Sequence, residues 1–160
     1  MGSFDKSLSH KIILAILLLA LATVLAQVAG AYFLQPKAVM HLNGERFEIR
    51  IADSERTRKK GLSGTSDLPA DQAMVFVFDH DSRHGIWMKD MNYSIDIVWL
   101  NSLKRVVHIE TQVSPDSYPA KSFFPKTEAR YVVEFRSGAV KDKGIRVGQE
   151  AIFSGTDRSI

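Results

Sequence analysis

The stretch GIWMKDM at residues 85–91, followed by IDIVWL at residues 95–100, contains both tryptophans and two of the five methionines of the chain. Apolar side chains dominate both segments, and each has the length of a single strand. We expect them to form the central pair of strands in a small β-rich domain. Successive side chains of a strand point to opposite sides, so Trp87, Lys89 and Met91 are predicted to share one face.

Local signals on both sides of this stretch predict further elements. Asn43-Gly44 is a favoured centre for a type I′ turn and separates two short apolar segments, which predicts a hairpin. Residues 55–62 carry a glutamate near their start and lysines near their end, which favours a helix. Other apolar segments predict strands at 73–78, 106–109, 131–135 and 147–153, a polar loop at 79–84 and a second short helix at 137–143. The expected fold class is α+β: a mainly antiparallel, barrel-like β domain with two short helices, preceded by one transmembrane helix.

A long apolar segment precedes the domain. Residues 12–34 contain no charged side chain and would form a helix of about 35 Å, enough to cross a hydrocarbon layer of about 30 Å. Lys6 and Lys11 come before it, which predicts a cytoplasmic N-terminus. Small residues around 24–31 leave signal-peptidase cleavage open, although the length favours an uncleaved anchor. The expected organisation is a cytoplasmic segment at 1–11, a transmembrane anchor or signal sequence at 12–34, a periplasmic or extracellular domain at 38–153 and a flexible tail at 154–160.

Composition limits the function classes. The formal net charge is only +3 and the basic residues are scattered, so we expect no nucleic-acid partner. The chain has no cysteine, which excludes disulfides, thiolate metal sites and a cysteine nucleophile. A basic cluster could face an anion or lipid head groups, or form a solvated helix face; it comprises Arg56, Arg58, Lys59 and Lys60.

Several motifs together resemble the domain of unknown function 192 (DUF192) family. They are Arg58 with GLSG at 61–64, MVFVF at 74–78, WMKDM at 87–91, IDIV at 95–98, RYVVE at 130–134 and the segment 144–148. The resemblance runs in order from Val39 to Phe153, with departures from the family pattern at Thr65, Ala73, Ser94 and Gln149. It implies a compact β-rich fold and no settled activity.

The most suggestive constellation surrounds the tryptophan stretch. A lysine between a tryptophan and a methionine on one strand face is unusual for pure core, and it could line an aromatic pocket with one ammonium contact. Asp96 lies inside an apolar strand, where a buried carboxylate needs a partner. The predicted ligand-binding residues are Trp87, Lys89, Met91, Asp96 and Tyr118. Alternatively, Lys89 extends into solvent and Asp96 caps a turn or binds a backbone amide.

Other reactive residues do not form a recognisable set. His80 and His84 are predicted in a polar loop without a third ligand, so no metal or other cofactor is expected. The serine, histidine and aspartate near Ser114 and His108 lack a nucleophile elbow, so no catalytic residue is assigned.

We therefore predict a membrane-anchored extracytoplasmic module that binds a small molecule or an envelope glycan without turning it over. One alternative is a hydrolase of envelope polymers that uses Asp96 and Glu134 as paired carboxylates. Another is a structural partner of a second membrane protein, which would need an exposed apolar patch around Phe123 and Phe124.

Overall fold

The computed structural model describes residues 6–33 and 38–155, which belong to two compact units. The first unit contains helix α1 (Lys6–Phe33), whose large apolar side chains, such as Ile13, Leu17 and Leu19, are more than half exposed. Within the described residues, no helix meets the length and apolarity required of a membrane span. The anchor predicted at 12–34 thus has no support from the structure and stays a prediction. Parts of the predicted N-terminus, anchor, linker and tail lie outside the described residues, namely residues 1–5, 34–37 and 156–160.

The second unit is built on a seven-stranded sheet with the order β5-β4-β6-β3-β2-β1-β7. Five of its six strand pairings are antiparallel, and β2 pairs with β3 in parallel through a crossover connection. A bridge between Arg105 and Glu150 joins the starts of the two edge strands, so the sheet curls into a half-barrel. The predicted α+β class is confirmed in this mixed form. The strands are β1 (Val39–Leu42), β2 (Glu45–Ala52), β3 (Gln72–Ser82), β4 (Ile95–Leu100), β5 (Val106–Val113), β6 (Ala129–Arg136) and β7 (Ala151–Ser154).

Local sequence signals position the short elements as predicted. Asn43 and Gly44 adopt φ of 54° and 78°, the left-handed pair that a type I′ turn requires, and join β1 to β2. Helix α2 (Glu55–Lys60) begins at Ser54, whose side chain accepts a hydrogen bond from the Thr57 amide in a capping box. The second predicted helix is α3 (Ala139–Asp142), and a short 3-10 helix (Pro115–Ser117) lies after β5.

Two predictions in the central stretch are wrong. Residues 85–91 form no strand: Ile86 makes a single bridge to Phe123, and the chain then turns, with Asp90 at φ 55°. The predicted loop at 79–84 is also mostly strand, because β3 continues to Ser82. The segment 85–91 therefore crosses over the sheet instead of joining it, and strand alternation does not govern its side chains.

The sheet has a buried apolar cluster on each face. On the concave face, side chains such as Phe47, Val98 and Phe135 pack with α3. On the other face, Phe76, Trp99 and their neighbours pack beneath the connection that contains α2 and beneath residues 83–94. The candidate site lies on this second face.

Candidate functional site

A pocket of about 220 Å³ opens between the sheet, helix α2 and the segment 85–91. Strands β3 and β6 form its sheet side, while α2 and the residues that follow it form a second side. The stretch that begins at Gly85 forms the third. The lining residues are Glu55, Arg58, Lys59, Lys60, Gly61, Leu62, Ser63, Phe76, Phe78, Gly85, Ile86, Trp87, Met91 and Glu134.

Arg58 fixes helix α2 against strand β3. Its Nη1 donates hydrogen bonds of 2.8 Å to the carbonyl oxygens of Asp53 and Val77. The guanidinium carbon lies 5.2 Å from the centre of the Phe78 ring, within the range of a cation–π contact. Arg58 thereby joins the start of the crossover to the middle of β3 and places its charge beside an aromatic wall of the pocket.

Gly61 brings the end of α2 close to the sheet. Its φ of 44° and ψ of −129° lie in a region that is accessible to glycine and strained for other residues. A Cβ atom at this position would lie 3.0 Å from Phe76 Cζ. Because Gly61 has no side chain, the Phe76 ring packs directly against the backbone, and the next residue, Leu62, is buried beside it.

The start of the segment 83–94 is held in place by contacts with β3, with β4 and with Phe123. Trp99, buried in β4, donates a hydrogen bond of 2.9 Å from Nε1 to the carbonyl oxygen of His84. The His84 ring stacks on Phe78 at 3.6 Å, and burial lowers the pKa of His84. Ile86 and Phe123 exchange backbone hydrogen bonds of 2.9 and 2.8 Å. These contacts leave the Trp87 indole at the pocket with 49% of its surface exposed.

Glu134 is the buried ionisable group of the pocket. It lies on β6 beside Met74 and Ile97, and only 4% of its surface is exposed. Its Oε2 atom is buried without a hydrogen-bond partner, the only such atom among the side chains that the structure describes. Burial raises the pKa of Glu134 to about 8 from the ordinary 4.5. A carboxyl group in this state holds its proton at neutral pH and can both donate and accept a hydrogen bond.

The five predicted site residues are divided among four places. Trp87 and Met91 line the pocket. Lys89 is exposed in the turn, where its carbonyl oxygen accepts a hydrogen bond from Ser63, and its side chain is not part of the lining. Tyr118 is exposed after the 3-10 helix and also lies outside the lining.

Asp96 lies on the concave face of the sheet and is completely buried. Its Oδ1 accepts a hydrogen bond of 2.9 Å from the Gln112 amide, and its Oδ2 accepts one of 2.9 Å from Val140 at the start of α3. The carboxylate thus holds a bulge in β5 and the first turn of a helix, as in the alternative interpretation. Glu134 points to the opposite face, so the predicted pair of catalytic carboxylates does not form.

Two further hypotheses can be compared with the structure. Of the two phenylalanines that a docking patch would need, Phe123 is buried and only Phe124 is exposed. His80 and His84 approach each other, with ring centres 5.4 Å apart, but the described residues contain no cluster of three or more histidine or acidic side chains suited to a metal ion.

Sequence reasoning missed the main part of this pocket. Glu134 was considered only as half of a carboxylate pair, although a lone acid inside the apolar segment YVVEF is a signal for a buried polar site. Phe76 and Phe78 belong to a continuous apolar strand. The sequence of such a strand does not distinguish residues that pack in the core from residues that line a pocket. The basic cluster is divided as well: Arg58, Lys59 and Lys60 line the pocket, whereas Arg56 does not.

Comparison with known proteins agrees with this architecture. The DUF192 family model, described as an uncharacterized ACR, matches residues 38–153. A UPF0127 protein of Thermococcus gammatolerans is 29% identical over 112 residues, which is 69% of each chain. A UPF0127 protein of Pyrococcus furiosus is 30% identical over 108 residues, covering 64% of this chain and 84% of that protein.

Solved structures show the same fold. A proposed transcription regulator of Sinorhizobium meliloti 1021 superposes with a TM-score of 0.70 at 22% identity, over 75% of this chain and 95% of that one. A protein of unknown function from Novosphingobium aromaticivorans superposes with a TM-score of 0.66 at 20% identity, over 72% and 83% of the two chains. At such identities the likeness concerns the fold alone. The match of the family model over the whole sheet domain shows that this chain belongs to the DUF192 (UPF0127) family.

Proposed function

We propose that the sheet domain binds a small ligand in the pocket between β3, α2 and residues 85–91, without turning it over. The observation that carries the proposal is the buried Oε2 of Glu134, which has no partner among the described residues. An unsatisfied buried polar atom costs about 1–3 kcal/mol, and a ligand that supplies the missing hydrogen bond recovers that free energy on binding. A ligand that forms a hydrogen bond with this oxygen atom would therefore stabilise the domain.

The walls favour a compact ligand with apolar surface. Phe76, Phe78 and Leu62 supply apolar walls, and the exposed Trp87 indole would be covered by any occupant. The volume of about 220 Å³ lies below the range of about 300–1,000 Å³ usual for drug-sized ligands. A small molecule therefore fits better than a polymer, of which only an end group could enter.

The lining also argues for binding over catalysis. Its one hydroxyl group is that of Ser63, which donates its hydrogen to the Lys89 carbonyl oxygen at 2.8 Å. Glu134 can exchange a proton, but a nucleophile–base pair within hydrogen-bond distance is missing from the lining residues. These features support a domain that recognises and releases its ligand unchanged.

We place this domain outside the cytoplasm, held at the membrane through residues 12–34. The support comes from the uncharged apolar run, from Lys6 and Lys11 before it, and from the exposed leucines and isoleucines of α1. Protease treatment of intact cells tests the topology: the sheet domain should become accessible once an outer barrier is permeabilised. Protection of the domain until the inner membrane is disrupted would contradict this placement.

The binding proposal can be tested by a fragment screen on the full chain, using ligand-observed NMR. Compounds that occupy the pocket should change the emission of Trp87, and Trp87→Phe should remove that change while fully buried Trp99 keeps its own emission. Hits should also weaken with Glu134→Gln and be indifferent to Leu103→Ala, a change at an apolar side chain that is 70% exposed and does not line the pocket. Hits that are insensitive to both pocket variants would refute the proposal.

A further inference from the structure

The charged side chains of the pocket come from two of its sides. The acid Glu134 lies on the sheet side, and α2 presents three cationic side chains and one anionic side chain. Lys59 is neutralised by Glu55 through an ion pair of 2.6 Å. Lys60 is exposed and has no ion-pair partner in the described part of the chain. The pocket therefore has an acidic inner side and a basic rim.

No basic side chain makes an ion pair with Glu134 in the described part of the chain. Burial raises the pKa of Glu134. Among ligand groups, an ammonium stabilises a buried carboxylate most, because it supplies both charge and N–H donors. The half-exposed indole of Trp87, which also lines the pocket, favours the same group through a cation–π contact.

A ligand that carries only a positive charge would also lie close to the basic rim of the pocket. Like charges repel across a partly dry pocket, so a ligand with only a positive charge gains on the sheet side and loses beside Lys60. A second group of negative charge removes this conflict. Between the two ends, Leu62, Met91 and Phe76 suit a short hydrocarbon segment.

We infer that the pocket recognises a small zwitterion, with its ammonium group at Glu134, its anionic group at Lys60 and Arg58, and a hydrocarbon segment along the apolar walls. This inference rests on the proposed binding function and assigns its ligand class. Glu134 and Lys60 are then the specificity-determining residues, because they select opposite ends of one molecule. The anionic end can be a carboxylate or a phosphate, since both accept hydrogen bonds from lysine and arginine.

Calorimetric titration of the full chain with ω-amino acids, from glycine to 6-aminohexanoate, tests this assignment. One chain length should bind best, and the n-alkylamine and the alkanoate of matching length should each bind more weakly. Glu134→Gln should weaken the best probe about tenfold or more, because it removes a charged partner. Lys60→Met should weaken it about two- to fivefold, as expected for an exposed pair, whereas Arg56→Met on the same helix should have no effect.

The pH dependence distinguishes an ammonium from a neutral or acidic group at Glu134. An ammonium requires the ionised carboxylate, so affinity should rise with pH up to about 8 and then level off. His84 is neutral over the upper part of this range, because burial lowers its pKa from 6.5. Burial raises the pKa of Tyr93, which stays protonated there. Glu134→Gln should abolish the slope.

The outcomes separate the two proposals. Tight binding of the alkanoate or a neutral alcohol, with affinity falling as the pH rises, would overturn the zwitterion and leave the binding pocket standing. Failure of every probe, together with an empty fragment screen, would overturn both. Glycerophosphoethanolamine, which carries the ammonium on a lipid head group, shows by its rank whether the zwitterion comes from a lipid or from a free metabolite.

Discussion

Replacement of Glu134 by glutamine should make the protein more stable at neutral pH, by an amount that depends on pH. The carboxyl group is buried with one unpartnered oxygen, and burial raises its pKa to about 8. Glutamine has nearly the same size but cannot ionise. The variant therefore removes the pH-dependent cost of this acid and leaves the packing around Met74 and Ile97 in place.

The size of the effect follows from proton linkage. Below pH 4.5 the folded and unfolded states both keep the proton, so ionisation of Glu134 costs nothing. Between 4.5 and about 8 only the unfolded chain releases it, so the wild-type free energy of unfolding falls by about 1.4 kcal/mol for each pH unit. The loss is about 3 kcal/mol at pH 7 and levels off at about 5 kcal/mol above pH 8.

Urea unfolding of the full chain at about pH 5, 7 and 9 measures this directly. The difference between Glu134→Gln and wild type should grow by about 3 kcal/mol from pH 5 to pH 7, in favour of the variant. Glu128→Gln, at an exposed position just before β6, provides the control and should follow the wild-type curve. Parallel curves for Glu134→Gln and wild type would show that Glu134 ionises freely in the folded protein, and the reasoning would fail.

Three other substitutions test the framework around the pocket. Asp96→Ala should lower the free energy of unfolding by about 3 kcal/mol, measured by urea titration, because two backbone amides, that of Val140 fully buried, lose their acceptor. Gly61→Ala should cost about 2–3 kcal/mol in the same assay, from a strained backbone and the close contact with Phe76. Trp99→Phe should cost about 2 kcal/mol and speed amide hydrogen exchange after His84, because the hydrogen bond to that carbonyl is lost.

The substitutions at Gly61 and Trp99 each have a matched control. Gly44→Ala also forces a positive φ, of 78°, but nothing lies within 4 Å of the new Cβ atom. It should therefore cost about 1 kcal/mol, less than the change at Gly61. Trp87→Phe changes an exposed indole and should leave both stability and hydrogen exchange near wild type. Equal costs at the two glycines, or at the two tryptophans, would contradict the packing described here.

The sequence predicted those features that are determined over a few residues. Asn43-Gly44 specifies a type I′ turn by its own backbone preferences, and Ser54 caps α2 through a neighbour three residues away. The segment 85–91 was misread because its apolar side chains are satisfied by distant partners, such as Phe123, that periodicity cannot reveal. A strand and a buried loop that packs on a sheet can have the same amino-acid composition. Only the tertiary contacts determine which of the two structures forms.

The candidate site was predicted in part for the same reason. Trp87 and Met91 were identified by their unusual chemistry, and both line the pocket. Lys89 was joined to them by strand alternation, and this link was lost when the segment proved to be a loop. Glu134 became a site residue only when the structure gave the burial of its carboxyl group and the absence of a partner for its Oε2 atom.

Asp96 and Glu134 show how two buried acids on adjacent strands acquire different roles. Their strands pair directly, Asp96 opposite Phe135 and Glu134 opposite Ile97, so the two side chains leave the sheet on opposite faces. Asp96 receives two amide hydrogen bonds of 2.9 Å, and its burial is accounted for by the bulge in β5 and the helix α3 that it holds. Glu134 does not stabilise the fold in a comparable way. An apolar residue of similar size would fill the space and avoid the cost of burying an acid. We therefore propose that the free energy that Glu134 costs the folded state is recovered when a ligand binds in the pocket.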